Sequence, residues 1–195
     1  MAITKIKGTS SFTNLTKYDS FLAGNAAYIP PSFESIATVN GNGSATTLTF
    51  SSIPSTYVAL QIRGIANDAN GFNIALRFNG DTGSNYAFHR LLGNGSTATA
   101  AGFATQTYAN YLGACASLGT NIFAGYITDI HDYASTTKAK TIRTFHGADA
   151  DGSGPVSLSS GLWTSTSAIT SISIVNTGPN AFITGSSFAL YGIRG

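Results

Sequence analysis

From Phe33 onward, apolar and polar residues alternate in short runs separated by turn-forming clusters. A period of two puts every second side chain on one face, as half-buried strands require. Glu34-Ser-Ile-Ala-Thr-Val39 is the first run, and Asn40-Gly-Asn-Gly43 after it is a hairpin signal. The return run Ala45-Thr-Thr-Leu-Thr-Phe50 alternates at Leu48 and Phe50. Ile53-Pro54-Ser-Thr turns into Tyr57-Val-Ala-Leu-Gln-Ile-Arg-Gly-Ile65, which places Val58, Leu60 and Ile62 on one face with Arg63 opposite. In Asn73-Ile-Ala-Leu-Arg-Phe78 the inward residues are Ile74, Leu76 and Phe78. Asn79-Gly80-Asp-Thr-Gly83 turns again, into Tyr86-Ala-Phe-His-Arg-Leu-Leu92.

Further runs are Ile122-Phe-Ala-Gly-Tyr-Ile-Thr-Asp-Ile130 and Lys138-Ala-Lys-Thr-Ile-Arg-Thr-Phe145, around the turn at 132–137. Val156-Ser-Leu-Ser-Ser160 is short and precedes Gly161-Leu-Trp163. Ala168-Ile-Thr-Ser-Ile-Ser-Ile-Val175 and Ser187-Phe-Ala-Leu-Tyr-Gly-Ile193 close the series. Residues 93–121 are dominated by Gly, Ala, Ser and Thr, and admit a long loop, a short helix or another strand. No βαβ rhythm and no internal repeat is present. About nine or ten strands with regular turns predict an all-β fold: a single antiparallel β-sandwich over 33–195, jelly-roll-like.

Residues 1–32 break the pattern. Met1 to Asp19 is polar with no sustained period, Phe21-Leu-Ala-Gly-Asn-Ala-Ala-Tyr28 follows, and Ile29-Pro30-Pro31 suggests an extended passage into the domain. Such an extended N-terminal arm cannot bury its own apolar residues. It is expected to anchor the protein on neighbouring subunits through Lys5, Lys7, Phe12, Leu15, Lys17, Tyr18 and Phe21.

Composition sharpens the picture. Charged residues make up 9% of the 195, against roughly 25% in ordinary soluble proteins, and Glu34 is the only glutamate. Surface polarity then falls to Ser, Thr, Asn and Gly, which favour strands and turns over helices. A surface so poor in charge associates readily, so the chain is expected to sit in an assembly. The net charge of +2 comes from dispersed residues, which argues against nucleic-acid binding. No apolar run approaches a membrane span and the first twenty residues lack a signal-peptide core, so no membrane insertion is expected. Cys115, the single cysteine, has no disulfide partner in the chain and is expected to be buried and inert.

Candidate chemistry fails on residue type or spacing. His89, His131 and His146 lie on three different expected strands without metal-ligand spacing. Asp149-Ala-Asp-Gly-Ser-Gly154 opens like a calcium loop, but the position of the closing bidentate carboxylate is Ser160. That favours a tight turn, with a weak ion site at Asp149 and Asp151 as the alternative. Nothing singles out a carboxylate pair for glycoside hydrolysis, and there is no nucleophile elbow or phosphate loop. No enzyme, metal or cofactor is expected. Strand aromatics usually fill cores or interfaces. Trp163, between Gly161-Leu162 and polar Thr164-Ser-Thr-Ser167, is the one expected to be half exposed and able to meet a sugar.

Several stretches carry a resemblance. They are Tyr18-Asp-Ser-Phe-Leu-Ala-Gly-Asn25, Phe33-Glu-Ser-Ile-Ala-Thr38, Phe50-Ser-Ser-Ile-Pro-Ser-Thr-Tyr57 with Leu60-Gln-Ile-Arg63, and above all Leu76-Arg-Phe-Asn-Gly-Asp-Thr-Gly-Ser-Asn-Tyr86 with His89. Ile130-His-Asp-Tyr133, Ser160-Gly-Leu-Trp-Thr-Ser-Thr-Ser-Ala-Ile-Thr170 and the closing strand complete them. Together, from about Tyr18 on, they resemble β-sandwich modules in exterior virion proteins of tailed bacteriophages, as in aquatic and cyanobacterial phages. The resemblance implies a virion structural protein without catalytic residues. Its role would be a tail-fibre or tail-associated host-attachment component, with capsid decoration (cement) as the alternative and a polysaccharide-active enzyme as a remote one. Expected partners are further copies of itself, as a homotrimer, other tail or capsid proteins, and a host surface glycan.

Overall fold

A computed structural model describes residues 32–67, 73–114 and 121–195, without the side chains of 110–114. The described part is all-β, with twelve strands in two antiparallel sheets. The strands are β1 (Phe33–Asn40), β2 (Thr47–Phe50), β3 (Ala59–Ala66), β4 (Asn73–Phe78), β5 (Tyr86–Gly93) and β6 (Ala98–Gln106). They continue as β7 (Ala109–Ala114), β8 (Ala124–His131), β9 (Lys140–Gly147), β10 (Val156–Trp163), β11 (Ile172–Asn176) and β12 (Ser187–Ile193). The larger sheet has eight strands in the order β1-β12-β3-β8-β9-β10-β5-β6, and the smaller four, β2-β11-β4-β7.

Setting aside β5, β6, β9 and β10 leaves β1-β12-β3-β8 facing β2-β11-β4-β7. The chain then changes sheet at every step but one, β4 to β7, which pair within the smaller sheet, and its first and last strands pair, which is the eight-stranded jelly roll. The hairpins β5–β6 and β9–β10 are insertions into that plan. They join through β10 and β5 and continue the larger sheet beyond β8.

Alternation decides the core. Leu48 and Phe50, Leu60 and Ile62, Ile74, Leu76 and Phe78, Ile172 and Ile174, and Phe188 and Leu190 all point between the sheets and are buried. Gly64 is required by this packing, because a Cβ there would run into the Phe188 ring. Under β9 and β10 the inward face turns polar. Thr128 and Thr144 share a buried hydroxyl bond of 2.9 Å, and Ser159 and His146 are buried beside them.

Local departures from the alternation reading have physical causes. The 40–43 turn does not close a hairpin, because β1 pairs with β12 while β2 pairs with β11. Gly41 and Gly43 instead donate to the Ser186 and Phe182 carbonyls, so the turn crosses between sheets. Val58 precedes β3 and is exposed, while Tyr57 packs over Gly192 in its place. The obscure 93–121 stretch holds two strands, β6 and β7, and 156–163 is a single strand rather than a short run plus a tail. Residues 168–171 are not strand. Asn79 Oδ1 accepts from the Thr170 and Ser171 amides, which fixes that segment on the β4 turn.

That turn also organises a buried cluster. Asn79 and Gly80 both take positive φ (52° and 69°), a two-residue geometry closed by the Asp81 amide on the Phe78 carbonyl. It delivers the Asp81 carboxylate to Trp163 Nε1 at 2.7 Å, Asn85 Nδ2 at 3.0 Å and the Gly83 amide at 2.8 Å. Desolvation works to raise the Asp81 pKa, but these donors outweigh it and hold the carboxyl below its ordinary value. Tyr86 stacks on Trp163 at 6.2 Å, and its hydroxyl donates to the Asp81 carbonyl and accepts from the Phe78 amide. Burial pushes that hydroxyl up to about 12, so it stays a neutral donor. Beneath lies buried Lys140, whose Nζ donates to the Ser135, Lys138 and Thr166 carbonyls and sits 6.0 Å from the Trp163 ring centroid.

Asp81→Ala leaves the Trp163 N–H without its acceptor and should destabilise the fold by about 1–3 kcal/mol at pH 7, measured by urea unfolding. Because the folded-state pKa is depressed, the ionised carboxylate stabilises above the ordinary carboxylate range. That contribution is lost as pH falls through the folded value. The gap between wild type and variant should therefore narrow in acid. A gap that widens below pH 4 would contradict the assignment.

Candidate functional site

The two sheets differ on their outer faces. Among the described side chains, the smaller sheet presents mainly hydroxyls: Thr47, Thr49 and Ser173, with Arg77 and Val175 beside them and Thr49 and Ser173 bonded at 3.0 Å. The larger sheet presents hydrocarbon. In the register of its central strands, Ile127, Phe145, Leu158 and Leu91 stand side by side across β8, β9, β10 and β5. Each leaves between 45% and 60% of its surface exposed. One side of this row is the line Ile65, Gly125, Gly147, Val156 and Gly93, a shallow trough with two apolar walls. The other side is polar.

That polar row is internally paired. Arg143 meets Asp129 at 3.1 Å, Gln61 donates to Asp129 at 2.8 Å, and Arg63 donates to Gln61 at 2.6 Å. Arg63 also lies over the Phe33 and Tyr191 rings, 5.1 and 5.5 Å from their centroids. An exposed ion pair of this kind adds little stability. Its effect is to cancel charge beside the apolar row. An apolar centre beside a polar margin is the anatomy that protein contact surfaces show.

The sequence-derived candidates fall elsewhere. Trp163 is not half exposed: 2% of its surface is accessible, because the Asp81 carboxylate and the Tyr86, Phe78 and Lys140 side chains enclose it. It is not available to stack on a sugar. His89 and His131 lie on the outer side of β5 and β8, whereas His146 points inward, 5.0 Å from the Tyr126 ring centroid. Among the described residues no three His, Cys, Asp or Glu gather as metal ligands. The 149–154 loop is the β9–β10 turn. Asp149 Oδ1 accepts from the Gly152 amide at 2.8 Å, and the Ala148 amide bonds the Pro155 carbonyl. Asp151 and Gly152 take positive φ there. Lys5, Lys7, Phe12, Leu15, Lys17, Tyr18 and Phe21 lie outside the described residues, as does Cys115.

The apolar row escaped the sequence reading because β10 and β5 carry apolar residues at both parities. A rule that assigns one parity to the core overlooks the other. A usable signal exists in the glycine two positions from three of the four bulky residues, Gly125 before Ile127, Gly147 after Phe145 and Gly93 after Leu91. Comparison with family models, with curated proteins and with solved structures returns no match.

Trp163 is the only tryptophan, so its fluorescence reports the enclosure directly. Emission should be blue-shifted, resistant to iodide quenching and unmoved by added saccharides. An emission maximum like that of free tryptophan would contradict the burial.

Proposed function

We propose that this chain is a non-enzymatic structural protein on the exterior of a tailed-phage virion, a tail-associated host-attachment component anchored by its N-terminal arm. The observation that carries the contact role is the exposed apolar row Ile127, Phe145, Leu158 and Leu91 on the broad sheet. A face of that kind is costly to leave in water and is usually covered in the working state. The virion setting rests on the resemblance of the turn and strand motifs, the 76–86 segment first among them. The jelly roll suits the role, since its wound sheets leave few edges and give a stiff platform for surface contacts. Capsid decoration is the second reading, favoured by the breadth of the apolar face, which suits lateral packing across a shell.

Deleting residues 1–32 from the phage-encoded protein should remove it from purified particles, while 33–195 expressed alone keeps its β-sheet circular dichroism. Retention of the truncated protein in particles would overturn the anchoring arm. Absence of the full chain from wild-type particles would overturn the function. Copy number then separates the mounting sites: a count matching the major capsid protein means decoration, and a few per particle means tail.

A further inference from the structure

We infer that the outer face of the eight-stranded sheet is closed by a second copy of this chain, packed face to face about a two-fold axis. The inference deepens the contact role proposed above by naming the partner, and it is independent of the virion setting. It begins with the two adjacent rows. Ile127, Phe145, Leu158 and Leu91 form the ridge, and Gly125, Gly147 and Gly93, each two residues from a ridge residue on the same strand, form a trough that half-exposed Val156 interrupts between Gly147 and Gly93. Because β8 runs opposite to β9 and β5, the glycine precedes the bulky residue in β8 and follows it in the other two. All three glycines therefore fall on one side of the ridge.

A two-fold axis in the plane of the interface, parallel to the rows and between them, exchanges ridge and trough. Phe145 of each copy then lies over Gly147 of the other, Ile127 over Gly125, Leu91 over Gly93, and Leu158 over Val156 as an apolar contact between them. One surface supplies both halves of the fit, as an isologous interface demands. A three-fold arrangement does not exchange the rows, so this geometry points to a dimer rather than the trimer expected from the sequence. Space at the trough is real. A Cβ built on Gly147 meets nothing within 4 Å, and one on Gly125 meets only the Gly147 carbonyl at 3.9 Å.

Size agrees with a second copy. Eight strands about 4.8 Å apart and about seven residues long, at roughly 3.4 Å per residue, make a face on the order of 900 Å². Each partner of a standard-size interface contributes about 800 Å². In the polar row Asp129 neutralises Arg143, and Arg63, in register with Ile127, leaves each face a single positive charge held over the Phe33 and Tyr191 rings. Twisted sheets pack face to face in this way in ordinary sandwiches, about 10 Å apart.

The test uses the full chain and two substitutions, read by light scattering after gel filtration. Wild type should have the mass of two subunits. Phe145→Lys, which puts a charge on the ridge, should shift it to one. Gly147→Leu is the decisive variant. A Cβ at this position meets nothing within 4 Å, so the leucine projects from the open face and fills the trough; it should also give monomers, at least tenfold weaker in association. General stickiness would do the reverse, because added hydrocarbon would strengthen association. A wild-type monomer up to the solubility limit, a wild-type trimer, or a dimer unchanged by both substitutions would overturn the pairing. Incorporation of the same variants into particles, scored separately, keeps the two questions apart: a monomeric wild type whose Phe145→Lys variant is lost from particles sinks the pairing and spares the contact role. Circular dichroism of both variants confirms that they fold.

Discussion

A strand has two sides, and in this molecule the second side of the longest sheet is as consequential as the first. Adjacent residues point to opposite faces, so a strand with apolar residues at both parities places hydrocarbon on both surfaces at once. On β10, Gly161 and Trp163 face the core while Val156, Leu158 and Leu162 face outward. β5 repeats this with Tyr86 and Phe88 inside and Leu91 outside. Neither strand can turn its apolar residues inward together. Register fixes which set goes in, and that register is set by six ladders running across the larger sheet from β12 to β6.

The two inserted hairpins are where the consequence gathers. The eight-stranded plan alone would give two sheets of four, each with one modest outer face. Adding β5–β6 and β9–β10 to one sheet doubles its width and contributes three of the four bulky residues of the exposed row, Leu91, Phe145 and Leu158. The insertion is tied back to the jelly roll by the Asp81–Trp163 bond, which links the turn after β4 to the end of β10. Buried Lys140, with three carbonyl partners, closes the same corner from β9. The exposed row therefore stands on a braced platform. Among the described side chains, the smaller sheet, with mainly hydroxyls outward, has no comparable surface.

Much of the fold was legible in the chain. The inward sets of β2 and β4 follow directly from alternation, and the low charge content pointed to an all-β protein. Two features were not legible, for physical reasons. The glycines at 41 and 43 look like hairpin residues, because local sequence records that the chain turns, not which sheet it turns into; that is decided by the distant partners Phe182 and Ser186. β6 has little apolar contrast, since as an edge strand it buries almost nothing and needs only backbone pairing to β5. Trp163 misled for a related reason. Its polar followers suggested exposure, while its enclosure depends on Asp81, eighty-two positions earlier in sequence. The contact face was half legible, through the glycines flanking Ile127, Phe145 and Leu91.

Hydroxyl-radical footprinting of the chain in its assembled state, compared with the monomeric Phe145→Lys variant, tests the contact face most directly. Leu91, Ile127 and Leu158 should be protected from oxidation in the assembly, while Arg77 and Val175 on the smaller sheet react equally in both. Equal reactivity of the three apolar side chains in both states, or protection confined to the smaller sheet, would contradict it.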